Sequence, residues 1–282
     1  MTIHRREFLE AGAALLATGR TLPWLGPRPV TRDLPPPGIQ LYSLRAAMAE
    51  DLEQTLDRVA TIGYREVEFA GWFGRSAKQI RAALAGAGLV SPASHVALEA
   101  LEGDRLGPTA VAAREAGHAW LIVAWLDPSE RASLDAWRRM AQRFTDIGRR
   151  LSAYGLRFAY HNHAYEFAPL GGGVPWQILV QATDPAHVDL ELDLYWCVRA
   201  GCDPRALLAA HPGRVRLVHA KDSGGPPEHR QVDVGAGTID FGSFFAAPEA
   251  ATIRHVFVEH DEPADPWAFA AASLAAYRTL GG

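Results

Sequence analysis

Several things are scarce in this chain of 282 residues, and each scarcity excludes something. There are two cysteines, Cys197 and Cys202, five positions apart around Gly201. Two cysteines make no disulfide framework, so the fold has to rest on an apolar core, and both thiols are expected to be free and buried. Lysine and arginine form no run, and the formal net charge is −4. That removes the electrostatic footprint of a nucleic-acid or anionic-membrane partner. No G-x-G-x-x-G follows the first apolar run, Gly38 to Tyr42, so an open dinucleotide-binding sheet lacks its mark. The rest of the composition, 48% hydrophobic and 21% charged, is ordinary for a soluble globular protein with a large core.

The N-terminus reads as an address. His4-Arg5-Arg6-Glu7-Phe8-Leu9 precedes a short, mildly apolar stretch from Ala11 to Ala17, far below the roughly 20 residues that span a bilayer. Twin arginines, a Phe-Leu pair and a brief weak apolar region match the twin-arginine export pattern, so a periplasmic or exported location is expected. The prolines from Pro23 to Pro37 read as an extended linker. Residues 1–37 are therefore assigned to signal and linker, and residues 38–282 to one domain. No cysteine lies near the signal to carry a lipid anchor.

From Gly38 onward the chain alternates between short apolar runs and segments of helical periodicity. Ser76 and Gln79 form a capping box before Ile80 and Leu84. Leu134, Trp137, Ala141, Phe144, Ile147 and Leu151 lie on one helical stripe. Asp127-Pro128, Asp203-Pro204 and Asp265-Pro266 each pair a cap with a first-turn proline. Eight strand candidates end at Tyr42, Phe69, His95, Ala124, His161, Asp193, His219 and Glu259, at intervals of 26 to 40 residues. Eight near-regular strand–helix units predict an α/β fold, a single (β/α)8 TIM barrel.

In such a barrel the active site lies at the C-terminal ends of the strands, and the polar side chains collect there. They are Gln40 and Tyr42, Glu68, His95, the cluster His161-Asn162-His163-Ala164-Tyr165-Glu166, Asp193, His219 with Lys221 and Asp222, and Glu259 with His260. Strand interiors are largely apolar. Glu166, Asp193, His219 and Glu259 stand out as metal ligands from strands five to eight. Three carboxylates and one imidazole form a hard donor set suited to one divalent ion, Mn²⁺, Mg²⁺ or Co²⁺, with Zn²⁺ as a further candidate. At strand five the choice stays open, because His161 or His163 competes with Glu166. Asp193 is also read as a cap for the segment Tyr195–Val198.

The stretches Ile39–Arg45, Glu66–Gly71, His161–Phe167, Glu191–Trp196, His219–Asp222 and Val258–Pro263 resemble the sugar phosphate isomerase/epimerase proteins of the xylose-isomerase-like barrel superfamily. The resemblance runs in order from about Gly38 to Leu280. It implies one divalent metal held from strands five to eight, and substrate contacts from Glu68, Trp72, His95 and Lys221. Relatives often carry the first glutamate in the strand end itself, where this chain has Tyr160-His161. They commonly have glutamine after the last-strand glutamate, where this chain has His260.

The chemistry this implies is isomerisation or epimerisation of a sugar or keto-sugar through an ene-diolate. Glu259 or Glu166 would move the carbon-bound proton, and His161, His163 or His95 would move protons between oxygens. Tyr42, Trp72 and Trp196 offer faces to a sugar ring. The partner expected is a small carbohydrate, and assembly into a homo-oligomer stays open. A lyase that eliminates from a 3-keto-glycoside, or a non-catalytic sugar-binding barrel, uses the same residues. An abasic-site nuclease is disfavoured by the acidic charge. The only candidate phosphate cradle, Gly235-Ala236-Gly237, is expected to turn the chain.

Overall fold

The computed structural model describes residues 34–280. The twin-arginine segment and most of the expected linker lie outside the described residues. Ten strands are formed: β1 (Pro37–Gln40), β2 (Glu66–Ala70), β3 (Val90–His95), β4 (Trp120–Val123), β5 (Arg157–His161), β6 (Val188–Asp193), β7 (Val215–Ala220), β8 (Asp222–Ser223), β9 (Gln231–Val232) and β10 (His255–Val258). Eight of them close a barrel in the order β1-β10-β7-β6-β5-β4-β3-β2, all pairs parallel, as expected of a (β/α)8 barrel. The short β8 and β9 pair antiparallel beside it. Strand ends fall within two residues of those expected. The largest shift is at β1, which stops at Gln40 and puts Tyr42 into a 3₁₀ turn, Leu41–Leu44.

Alternation along the strands divides the barrel interior into layers. At the N-terminal end, Arg157 donates twice to the buried Asp189, which also accepts from Trp120 Nε1 at 2.8 Å, and His255 pairs with Glu66 at 2.8 Å. The middle layer is a separate apolar plug of Ala93, Ile122, Ala159, Leu217 and Phe257. Gly38 is required there, because a Cβ on it would come within 2.5 Å of the Phe257 ring. Above this plug most inward positions are polar, which makes the C-terminal end the working end.

The larger core lies between the barrel and its helices. The helix Leu134–Ser152 shows how the sequence builds that layer: it buries Trp137, Met140, Phe144, Ile147 and Leu151 on one stripe. Ser76 and Gln79 form the expected capping box. Asp127, Asp203 and Asp265 each accept backbone N–H bonds at a helix start followed by proline. Cys197 and Cys202 are free, the first buried and the second only half-buried, so the burial expected of Cys202 is incomplete. Among the described residues no helix is long and apolar enough to cross a membrane.

Gly235 and Gly237 do turn the chain. Their N–H groups and that of Ile239 all donate to the Asp222 carboxylate, at 3.0 to 3.2 Å. The loop's donors are thus consumed by an internal anion, and Asp222 acts as a structural pin rather than as part of the barrel mouth.

Candidate active site

The top layer of the barrel is built from inward side chains at the strand ends. Gln40 comes from β1, Glu68 from β2, His95 from β3, His161 from β5, Glu191 and Asp193 from β6, and His219 from β7. Lys221 follows β7 and Glu259 follows β10. His219 is fully buried at the centre. Its Nδ1 is 2.5 Å from Glu259 Oε2, and its Nε2 is 2.6 Å from Glu68 Oε2 and 3.3 Å from Glu191 Oε2. Glu191 Oε2 also lies 2.9 Å from His95 Nε2 and 3.1 Å from His161 Nδ1. Gln40 donates to Glu68 at 2.7 Å and so fixes that carboxylate.

Lys221 closes the other side. Its ammonium is 2.7 Å from Asp261 Oδ1, 2.9 Å from Glu259 Oε2 and 3.3 Å from Asp193 Oδ2. Asp193 serves two purposes with its two oxygens. Oδ1 caps the next helix by accepting from Trp196 N at 2.8 Å, while Oδ2 faces Lys221 and His161. Asn162 holds the junction, since its Oδ1 accepts from the Asp193 amide at 3.0 Å.

This environment sorts the protonation states. Burial pushes the Glu259 carboxyl up, but Lys221 and His219 outweigh burial and hold it well below the ordinary carboxylate range. Burial likewise opposes Glu191, whose three imidazole neighbours nevertheless hold it low. At Asp193 burial wins, and the carboxyl rises to about 6 against the pull of Lys221 and His219. Burial pulls His95 down, but Glu68 and Glu191 raise it to about 9. Burial, reinforced by Lys221, leaves His163 at about 4.

The donor set suits a divalent cation. Two groups have ligand atoms within 4.8 Å of one another, His95–His161–Glu191–His219 and Asp193–His219–Glu259, and they share His219. Glu68 Oε1 and Glu191 Oε1 are buried without a hydrogen-bond partner, and Asp193 Oδ2 has only its ion pairs to Lys221 at 3.3 Å and His161 at 3.8 Å. Bare buried carboxylate oxygens are costly unless a cation or donor meets them. No thiol belongs to either group.

Several expected residues sit elsewhere. Glu166 joins neither group. Its Oε1 accepts from Tyr160 Oη at 2.6 Å and its Oε2 from His163 N at 2.9 Å, so it pins the turn after β5. This placement keeps Glu166 apart from both ligand groups. His163 lies at the rim, stacked on Tyr165 and 5.2 Å from Trp196, ring centroid to centroid. Trp196 is thereby beside the site, with Lys221 Nζ 5.9 Å from its ring. Trp72 also lies away from the cluster: its Nε1 donates to Ser94, the outward neighbour of His95, and its ring lies against His118. His260 points out of the barrel onto Phe269, as its position next to the inward Glu259 requires. Tyr42 is 42% exposed under Arg45, outside the cluster.

Glu191 and Asp261 were missed from the sequence. Glu191 had a signal, because it shares the inward face of β6 with Asp193. Asp261, which accepts from Lys221 and from Gln231, had none.

Comparison with known proteins fits this geometry. The sequence profile of the xylose isomerase-like TIM barrel matches residues 56–277. The chain belongs to the xylose isomerase-like TIM barrel family. A stretch of 92 residues is 30% identical to an inosose dehydratase of Bacillus anthracis, which is 31% of this chain and 29% of that relative. Among solved structures, a sugar phosphate isomerase/epimerase from Parabacteroides distasonis superposes with a TM-score of 0.72 at 24% identity, over 85% of this chain and 92% of the other. An L-ribulose 3-epimerase gives 0.68 at 18% identity, over 88% and 94%. The IolI protein with a bound zinc atom gives 0.65 at 14%, over 86% and 96%. These structural likenesses show the shared barrel fold.

Proposed function

We propose that the barrel mouth is a divalent-metal site at which a sugar or keto-sugar is isomerised or epimerised by moving a proton on the carbon next to a carbonyl. The observation that carries this reading is the pair of ligand groups sharing His219, with Glu191 Oε1 of the first group buried and unpartnered. The isomerase and epimerase named among the structural neighbours support it. The first group holds three imidazoles and one carboxylate, a softer set than the one expected from sequence, and this moves the preferred ion toward Zn²⁺ or Co²⁺. The zinc in one neighbour is in keeping with that.

When bound, such a cation supplies Lewis acidity toward a carbonyl and the adjacent hydroxyl. Glu259, held ionised by Lys221 and His219, takes the proton from carbon. Returning it to the neighbouring carbon isomerises the sugar, and returning it to the opposite face of the same carbon epimerises it. Lys221 keeps its charge among three carboxylates and faces the oxygen on which negative charge grows. His95, at 15% side-chain exposure the most open of the three imidazoles, passes protons between substrate oxygens.

The test is solvent-deuterium incorporation into a panel of keto-sugars in D₂O. Metal-loaded enzyme should label the carbon next to the carbonyl, chelator-treated enzyme should not, and Glu259→Gln should stay folded but inactive. Full exchange after exhaustive demetallation would sink the metal reading.

The inosose dehydratase similarity favours a second reading, in which the same proton removal is followed by loss of an oxygen leaving group from the next carbon. An unsaturated product would distinguish it. Export by the twin-arginine route belongs to this proposal as well, and fractionation of cells expressing the full chain tests it.

A further inference from the structure

Beside the cluster, where β2, β3 and β4 end, the wall of the mouth opens into a cavity of about 390 Å³. That lies near the lower end of the roughly 300–1,000 Å³ usual for small-molecule sites. His95 joins the two spaces. Its side chain lines the cavity, and its Nε2 reaches Glu191 at 2.9 Å and Glu68 at 3.3 Å.

The chemistry of the lining is one-sided. Glu99, Asp127 and Glu130 border the cavity, and among the described residues no lysine or arginine does. Glu130 is partly neutralised by Arg143 at 2.6 Å, and Asp127 Oδ1 is engaged by Ser129. The balance still favours groups that donate hydrogen bonds and repels anions. Trp125 also lines the cavity; it is 57% exposed, and its indole has no hydrogen-bond, ring or cation partner among the described residues. An exposed aromatic face next to carboxylate acceptors matches a pyranose ring, which presents C–H groups on its faces and hydroxyl donors at its edge. The glycine loop offers phosphate no seat, because the N–H groups of Gly235 and Gly237 are spent on Asp222.

We propose that this cavity is a subsite for a second, uncharged sugar ring, so that the substrate is a glycoside of two rings rather than a free or phosphorylated monosaccharide. The inference rests on the reading of the barrel mouth as a sugar site. It places the reacting ring over His95 and Glu259 and the second ring against Trp125.

Calorimetric titration of the full-length, metal-loaded protein tests it. The probes are glucose, galactose, mannose and fructose, the disaccharides built from them, and glucose 6-phosphate. At least one disaccharide should bind about tenfold or more tighter than its component monosaccharides. Trp125→Ala should shrink that preference to within about twofold, Trp125→Phe should keep most of it, and glucose 6-phosphate should bind no tighter than glucose. Monosaccharides binding as tightly as every disaccharide, or a preference untouched by Trp125→Ala, would overturn the subsite and leave the sugar site standing. Tighter binding of glucose 6-phosphate would overturn the uncharged-substrate claim. No binding by any sugar would overturn the sugar site, and the subsite with it.

Discussion

Glu191 and His161 meet at 3.1 Å, Oε2 to Nδ1, inside the barrel mouth. The contact assigns the nitrogens of the imidazole. Nδ1 is occupied by the carboxylate, and Nε2 is turned toward Asp193 Oδ2, 3.8 Å away. Glu191 Oε2 also meets Nε2 of His95 and of His219, so one carboxylate gathers the three imidazoles of the first ligand group.

Replacing Glu191 by glutamine keeps the volume but removes the charge. Affinity for Zn²⁺ or Mn²⁺ should fall by at least the roughly 10- to 100-fold that loss of even a supporting carboxylate costs, because Glu191 is the one carboxylate of the first ligand group. Competition with a chromogenic chelator measures it. An unchanged affinity would remove Glu191 from the site.

Glu166→Gln should leave metal affinity as it is, because both oxygens of Glu166 are spent on Tyr160 and the His163 amide. It should instead change the pH dependence of stability. Burial, opposed by the Tyr160 hydroxyl, raises the carboxyl from 4.5 to about 7. The unfolded chain ionises first, so stability present below pH 4.5 is lost as pH rises through 7, by about 3 kcal/mol from the size of the shift. Urea unfolding of wild type and variant across that window measures the difference. A metal-free Glu166→Gln variant would restore Glu166 as a ligand.

His118 gives the opposite slope across nearly the same window, so the two variants have to be compared with wild type one at a time. Burial against Phe69 and Trp72 lowers its imidazole from 6.5 to about 4, with the Ser91 carbonyl opposing. Here the unfolded chain takes up the proton first. Stability is fully present above pH 6.5 and is lost as pH falls toward 4, again by about 3 kcal/mol. His118→Phe should flatten this acid limb in the same unfolding series; a limb of unchanged slope would contradict the assignment.

Gly38→Ala tests the apolar plug below the site. Its Cβ would stand 2.5 Å from Phe257 Cδ1 and 3.1 Å from the Glu66 carbonyl oxygen. Overpacking of this kind costs about 1–3 kcal/mol. For a domain of this size the melting temperature should drop by about 2–4 °C per kcal/mol, read by calorimetry. Adding Phe257→Leu should recover part of the loss.

The barrel was legible in the sequence because strand ends, helix stripes and aspartate–proline caps are local signals. His95, Asp193, His219 and Glu259 were legible for the same reason, as polar residues closing apolar strands. Glu191 was passed over because a charge inside a strand reads as solvated until the alternation Asp189–Glu191–Asp193 is assigned to one inward face. The same alternation turns His260 away from the site once Glu259 is inside. Glu166 and Trp72 lie in irregular turns after their strands, where no periodicity says which way a side chain points. Asp261 depends on Lys221 and Gln231 meeting across distant loops, a tertiary fact with no local trace.

Calorimetric titration of chelator-treated full-length protein with Zn²⁺, and in parallel with Mn²⁺, tests the central claim most directly. Wild type should bind at least one equivalent of ion per chain, and Asp193→Asn with Glu259→Gln should abolish or sharply weaken that binding while the fold, read by circular dichroism, persists. Absence of stoichiometric binding in the wild type, or binding untouched by the paired substitution, would contradict it.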